Sequence, residues 1–210
     1  MRNTTRNAAL VSCFVLALAV SALCQNRLQS EPVSPVAGPA YDLSVGYSNL
    51  TMAVPSAGHL NLNGPDFSGS VALNSRWGVT VDSSYLRASD VFDTHHQSYV
   101  LTAQSGPVFY LMDHRNTRLF LHGLAGMGLV DGAVPSTDNK FFHGWLVRPA
   151  YTVGAGLEHS LTGGLGVRVS GDYLRTSFYD AAGAEQAQNN LRLTVSLVFR
   201  VRQHRPRPGF

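Results

Sequence analysis

The chain has 210 residues, of which 44% are apolar and only 14% are charged, and it contains 20 glycines. This composition excludes an intrinsically disordered protein, because disorder requires low hydrophobicity together with high charge. The formal net charge of +3 is small and concentrated at the two ends of the chain, so it does not indicate a nucleic-acid partner. The length predicts one or two folded domains.

Residues 1–24 have the features of a secretory signal peptide. Arg2 and Arg6 precede an apolar run at 8–23, and polar residues follow at once. The run is shorter than the 18 to 20 or so apolar residues that a spanning helix requires. We therefore predict export from the cytoplasm and removal of this segment.

Cleavage of the predicted signal peptide has two possible sites. Small residues allow it after Ala22 or after Cys24, and we favour the second. Lipid attachment at Cys24 is disfavoured because Leu23 is large for the position before a lipidated cysteine. Since Cys13 and Cys24 are the only cysteines, cleavage after Cys24 would leave an exported protein without disulfides.

The rest of the chain divides into a leader, a long region of alternating residues, and a tail. Residues 25–40 contain three prolines and no periodicity, which predicts a flexible leader, and 202–210 form a basic tail containing proline. Within 41–201, apolar and polar residues alternate, as they do in strands whose successive side chains point to opposite faces. We predict eight strands, at 41–47, 67–73, 77–85, 99–109, 119–129, 147–157, 165–173 and 191–199.

The predicted connections alternate in length. Short turns are expected at 75–76, 111–117 and 160–164, and longer loops at 51–66, 88–97, 131–144 and 180–188. In an up-and-down meander this places all short turns at one end and all long loops at the other, as in outer-membrane barrels. The fold predicted is all-β: an eight-stranded antiparallel up-and-down transmembrane β-barrel with long loops outside the cell.

Volume decides which face of the predicted sheet points outward. About five apolar side chains on each of eight strands cannot fit inside a barrel whose interior only just holds its own side chains. The apolar face is therefore expected to contact lipid. Aromatic residues, which collect at membrane interfaces, fall near both ends of the strands: Tyr41, Trp77, Phe109 and Phe199 toward the short turns, and Tyr85, Tyr99, Trp145 and Tyr173 toward the long loops.

The opposite, inward face carries charges of both signs. Because an unpaired charge in an enclosed lumen is very costly, we expect these groups to pair across the barrel and close it. An alternative is that they gate a narrow pore. The predicted lumen charge network consists of Asp42, Asp82, Glu158 and Asp172 with Arg76, Arg148, Arg168 and Arg192.

The last strand supplies a resemblance to a known family. Residues 189–201 alternate and place Phe199 near the end, which resembles the C-terminal assembly signal of bacterial outer-membrane proteins. With the segment 165–178, the chain is similar to the small outer-membrane β-barrels related to the OmpA transmembrane domain. The resemblance implies a location in the cell outer membrane and, as partners, the barrel assembly machinery, outer-membrane lipid and lipopolysaccharide. Because further residues follow, either Phe199 or Phe210 could serve as the signal.

The sequence contains residues of two kinds of chemical site, neither of which we expect to form. Histidines of the predicted loops could ligate a metal with Asp93, but no metal-binding sequence motif accompanies them. His159 and Ser160 resemble a hydrolytic pair, yet neighbouring residues of a strand point to opposite faces, and the inward His122 lies on another strand. We predict no enzyme, metal or cofactor. The loop histidines are His59, His95, His96 and His143.

The function favoured by the sequence is structural or adhesive, with four extracellular loops as the binding surface. The ligand of these loops is not specified. Two alternatives remain: a narrow porin-like channel for small solutes, and a soluble exported carrier similar to a lipocalin.

Overall fold

The computed structural model describes residues 40–54, 58–93, 95–114, 116–132, 145–162, 164–178 and 186–202, which form a closed barrel of eight antiparallel strands. No helix in these ranges is long and apolar enough to cross a membrane. The predicted fold class is confirmed. The strands are β1 (Ala40–Val54), β2 (Gly58–Ala72), β3 (Trp77–Ala88), β4 (Ser98–His114), β5 (Thr117–Gly132), β6 (Leu146–Ser160), β7 (Leu165–Thr176) and β8 (Gln188–Arg202).

The barrel closes because β8 pairs with β1 as well as with β7, which leaves no free sheet edge. The connections at one end are short, at 73–76, 115–116 and 161–164. In the first of these turns, Asn74 Oδ1 accepts hydrogen bonds from the backbone nitrogens of Arg76 and Trp77, both at 2.8 Å. The predicted signal peptide, most of the leader and nearly all of the tail lie outside the described residues.

The first predicted long loop is wrong. Residues 51–66 belong largely to β1 and β2, which remain paired up to Val54 opposite Gly58, so that only 55–57 connect them. The sequence obscured these strand ends because the polar and apolar faces exchange places near Asn49. The other long connections, at 89–97, 133–145 and 177–187, agree closely with the prediction.

The barrel wall is apolar outside and polar inside over most of its height. Val153 and Leu193, on the outer face, are 67% and 53% exposed, whereas Ser48 and Thr102 are fully buried inside. Aromatic pairs mark both ends of this apolar band. Trp77 packs against Phe109 at 4.7 Å near the short turns. The rings of Tyr85 and Tyr99 lie 5.8 Å apart toward the long loops.

This polarity inverts at the long-loop end of β1 and β2. The outward positions there carry polar groups, and Asn49 Nδ2 donates to Asn63 Oδ1 at 2.7 Å. The inward positions become apolar, with Leu50 and Leu62 fully buried. Such an arrangement is that of a water-soluble barrel, so the apolar band of the outer wall ends at this level. The buried upper core comprises Leu50, Met52, Val54, Leu60, Leu62, Leu86, Ala88, Val91, Val100, Val130, Ala150, Leu174 and Phe178.

Candidate functional site

The lumen holds two clusters of ion pairs among the described residues. The mid-barrel cluster surrounds Arg192, whose side chain is only 1% exposed. Its guanidinium lies 2.8 Å from carboxylate oxygens of both Asp172 and Asp82, and 3.6 Å from Asp66 Oδ2. A single cation thus contacts carboxylates from the neighbouring strands β2 and β3 and from β7, which lies opposite β3 in the barrel.

His122 adds a titratable group to the mid-barrel cluster. Its Nε2 lies 2.9 Å from Asp172 Oδ1, although neither atom has a well-aligned hydrogen-bond partner. Both residues line a cavity of about 30 Å³, enough for one or two water molecules. His122 therefore approaches the same carboxylate that accepts a hydrogen bond from Arg192 Nε at 2.9 Å.

The second, lower cluster lies near the short turns. Asp42 accepts hydrogen bonds from Arg118 at 3.3 Å and from Arg200 at 3.1 Å. Glu158 accepts from Arg168 at 2.8 Å and also from Arg200. Arg200 therefore bridges two carboxylates that come from β1 and β6. Such pairing satisfies charges that would be costly alone in the lumen.

Aromatic residues complete the lower cluster. The guanidinium of Arg118 lies 4.7 Å from the centre of the Tyr110 ring, and that of Arg168 lies 5.3 Å from the centre of the Phe120 ring. These distances are typical of cation–π contacts. The two rings pack with Val108 in a small apolar group, which fills the lower lumen around the arginines.

The structure places six of the eight predicted network residues in these two clusters. The other two lie elsewhere, and the prediction for Arg76 is wrong. Arg76 is exposed in the turn 73–76, because β3 begins only at Trp77. Arg148 is half-buried at the long-loop end of β6, where Nη1 donates to the Val147 carbonyl at 3.3 Å. The six are Asp42, Asp82, Glu158, Arg168, Asp172 and Arg192.

Sequence reasoning missed several members of the clusters. The predicted elements place Asp66 in a loop, Arg118 between a turn and a strand, and Arg200 just beyond the last strand. Each has the same parity as inward residues of its own strand, such as Phe120 for Arg118. Extending the alternation by one or two residues at these strand ends would have found them.

Above the clusters, the lumen is filled by neutral groups. Thr152 Oγ1 donates to Gln104 Oε1 at 2.8 Å, and Ser84 and Thr102 share a hydrogen bond of 2.7 Å. The upper core follows, with Leu86 and Leu174 fully buried and Phe178 only 2% exposed. The described part of the barrel is therefore packed with side chains from the lower cluster to the upper core.

The candidate metal ligands are separated in the described structure. His59 is exposed on β2, whereas Asp93, His95 and His96 all lie in the connection 89–97, and His143 is outside the described residues. In the ranges described, no three His, Cys, Asp or Glu side chains are arranged to hold a metal ion.

The two residues that resemble a hydrolytic pair have other contacts. His159 Nδ1 shares a hydrogen bond with Thr117 Oγ1 at 3.0 Å. Ser160 Oγ accepts one from Arg200 Nη1 at 3.3 Å. No contact joins the imidazole of His159 to the hydroxyl of Ser160 among the described interactions.

A closed barrel with an apolar outer wall, aromatic residues at both ends and a polar lumen defines a membrane β-barrel. Residues 15–199 match the outer membrane protein beta-barrel domain family, and the chain belongs to this family. Membership indicates an outer-membrane location. No curated protein sequence matches the chain.

Solved outer-membrane barrels share the fold. Neisserial surface protein A is 9% identical with a TM-score of 0.61, covering 77% of this chain and 98% of its own. Ail, the attachment invasion locus protein of Yersinia pestis, is 16% identical with a TM-score of 0.55 and coverages of 77% and 98%. OprG of Pseudomonas aeruginosa is 8% identical with a TM-score of 0.50 and coverages of 80% and 99%. At these identities the likeness concerns the fold alone.

Proposed function

We propose that this protein is a closed outer-membrane barrel whose role is structural or adhesive and is exerted through its extracellular loops. The packed lumen carries the proposal. Buried ion pairs fill its lower half and an apolar core fills its upper end, which leaves the outer surface as the part of the molecule that can meet a partner. The apolar outer wall and the family favour this membrane barrel over a soluble exported carrier.

The names of two structural relatives are in keeping with a surface role. Ail is named as an attachment protein, and Neisserial surface protein A is named as a surface protein. We propose an adhesive role for the loops of this chain on the basis of the sealed lumen, with these relatives as a guide only. The test compares bacteria expressing the wild type with bacteria in which 133–144 is replaced by a short Gly-Ser linker. If fewer bacteria with the replacement than with the wild-type protein adhere to an epithelial monolayer, the result would support adhesion. Equal numbers of adherent bacteria would leave only the structural role.

The closed lumen makes a direct prediction about conductance. In planar bilayers, the purified protein is expected to produce no conductance steps, since the two clusters and the upper core block the path. A known porin added to the same bilayer is the positive control. Reproducible steps from the wild-type protein would contradict the closed lumen and favour the narrow channel.

The proposed orientation makes a second prediction. Asp93→Cys lies in the connection 89–97 and Ser75→Cys in a short turn, and both positions are exposed. In intact cells a membrane-impermeant maleimide should label Asp93→Cys alone, and lysis should make Ser75→Cys reactive. The wild type is the control for any background from Cys24. The opposite pattern would mean that the short turns face outward.

Export and assembly complete the proposal. We propose that the signal peptide is cleaved and that the barrel assembly machinery recognises the last strand. Phe199 lies on the outer face of β8, 45% exposed and opposite Leu43 of β1, where a recognition factor could reach it before closure. Outer-membrane lipid and lipopolysaccharide are the proposed surroundings of the wall.

A further inference from the structure

A three-residue sequence occurs twice near the long-loop end of the apolar band, the level at which we place the outer boundary of the membrane. Tyr85-Leu86-Arg87 lies near the end of β3, and Tyr173-Leu174-Arg175 lies near the end of β7. In both copies the leucine is fully buried in the upper core, while the tyrosine and the arginine are exposed on the outer face. Since β3 and β7 are four strands apart in a ring of eight, the copies face opposite sides of the barrel.

The neighbours of the two arginines are also of the same kinds. Arg87 has Asn63 of β2 opposite it on one side and Tyr99 of β4 opposite it on the other. Asn189 and Tyr151 flank Arg175 in the same way, in mirrored strand order. We call these groups the β3 site (Asn63, Tyr85, Arg87 and Tyr99) and the β7 site (Tyr151, Tyr173, Arg175 and Asn189).

Both sites present hydrogen-bond donors. The amide oxygen of Asn63 accepts from Asn49 at 2.7 Å, and that of Asn189 accepts from the Tyr173 hydroxyl at 2.6 Å. Each asparagine therefore has its acceptor occupied and its Nδ2 group available to donate. Beside it stands a guanidinium that forms no ion pair within the described residues, although Arg87 lies 5.7 Å from the centre of the Tyr99 ring.

The sites lie at nearly the same height. The tilt of the strands follows from tracing directly paired residues once around the barrel. The trace starts at Ala72 of β2, which adjoins the start of β1 near Tyr41, and passes through β3 to β8. It returns to β1 at Leu50. The starting and returning positions on β1 thus differ by roughly ten residues, which corresponds to strands tilted by about 40° from the barrel axis. With that slope, the Cα atoms of Arg87 and Arg175 differ in height by only about 3 Å.

We infer that the β3 and β7 sites each bind a phosphate group of lipid A in the outer leaflet. A guanidinium pairs with phosphate through two parallel hydrogen bonds, the asparagine amide supplies a third, and the tyrosines contact the sugar and the upper acyl chains. The inference rests on the proposed membrane location and is independent of any loop ligand. Asp131 lies opposite Tyr99, so the β3 site should be the weaker of the two.

Native mass spectrometry of the full mature protein in detergent, titrated with bisphosphorylated lipid A, tests the inference. The wild type should bind two molecules, and Arg87→Gln and Arg175→Gln one each. The double variant should bind at least about tenfold more weakly. Arg76→Gln, which removes an exposed arginine at the opposite end, is the matched control and should bind as the wild type does. For each variant, a difference in gel mobility between unboiled and boiled samples verifies that the barrel is folded.

Two further arms identify the ligand chemistry. Dephosphorylated lipid A should bind at least about tenfold more weakly than the phosphorylated form, and millimolar inorganic phosphate should not displace the lipid. Undiminished binding by the double variant or of dephosphorylated lipid would overturn the inference, and displacement by inorganic phosphate would assign the sites to a free anion. Labelling of cysteines, described above, tests the membrane orientation separately.

Discussion

Replacing Arg192 by methionine is expected to lower the free energy of unfolding by about 3–5 kcal/mol, the usual cost of removing one partner of a buried ion pair. The guanidinium is the cation that contacts Asp66, Asp82 and Asp172. Without it, three carboxylates would face one another in a lumen that is shielded from bulk water. The loss should therefore exceed that of an ordinary surface substitution several-fold.

The measurement is urea-induced unfolding of the protein in lipid vesicles, followed by the gel shift between folded and unfolded forms. Arg76→Met is the matched control, because this arginine is exposed in a turn, and it should change stability by no more than about 0.5 kcal/mol. Arg192→Lys, which keeps the charge but not the geometry of the fork, should fall between the two. Equal losses for Arg192→Met and Arg76→Met would refute the structural role of the mid-barrel cluster.

Placing an arginine on the lipid-facing wall is the second substitution with a large expected effect. Val195 lies near the middle of the outer face of β8, opposite Tyr47 of β1 and Val169 of β7. For an arginine near the bilayer midplane, we expect Val195→Arg to lower the free energy of unfolding in vesicles by about 2–4 kcal/mol.

The matched control uses a position on the same outer face but above the proposed membrane boundary. Asn61 is exposed, and its Oδ1 accepts a hydrogen bond from Thr51 Oγ1 at 3.0 Å. Asn61→Arg should cost at most about 1 kcal/mol, as expected near or beyond the interface. A negligible effect at Val195 would argue against lipid contact, and a large effect at Asn61 would mean that the boundary lies higher than the change in polarity indicates.

Much of the wall could be predicted from sequence because strand alternation is a local property. Leu193, Val195 and Leu197 are outward simply because every second residue of a strand shares a face, and the volume of an eight-stranded barrel then decides which face meets lipid. The prediction lost accuracy where the polarity inverts. From Asn49 to Asn63 the apolar residues lie inside, so the alternation continues while its meaning is reversed.

The partners within the lumen follow from the tertiary structure. Arg200 and Asp42 are 158 residues apart in sequence, and Arg192 and Asp82 are 110 apart. Parity can place such residues inside, but their height depends on the strand register and on the stagger with which the barrel closes. Arg76 shows the limit of the pattern: it has the parity of the inward residues of β3, such as Gly78, but lies in the turn before that strand begins at Trp77.

The sequence by itself determined an eight-stranded barrel with an apolar outer wall, because alternation and side-chain volume are fixed by local composition. Closure of the barrel determines which carboxylate contacts which guanidinium and where the lumen changes from charged to apolar. It also brings the two Tyr-Leu-Arg segments to the same height on opposite walls. These depend on register and tilt, which are set jointly by all eight strands.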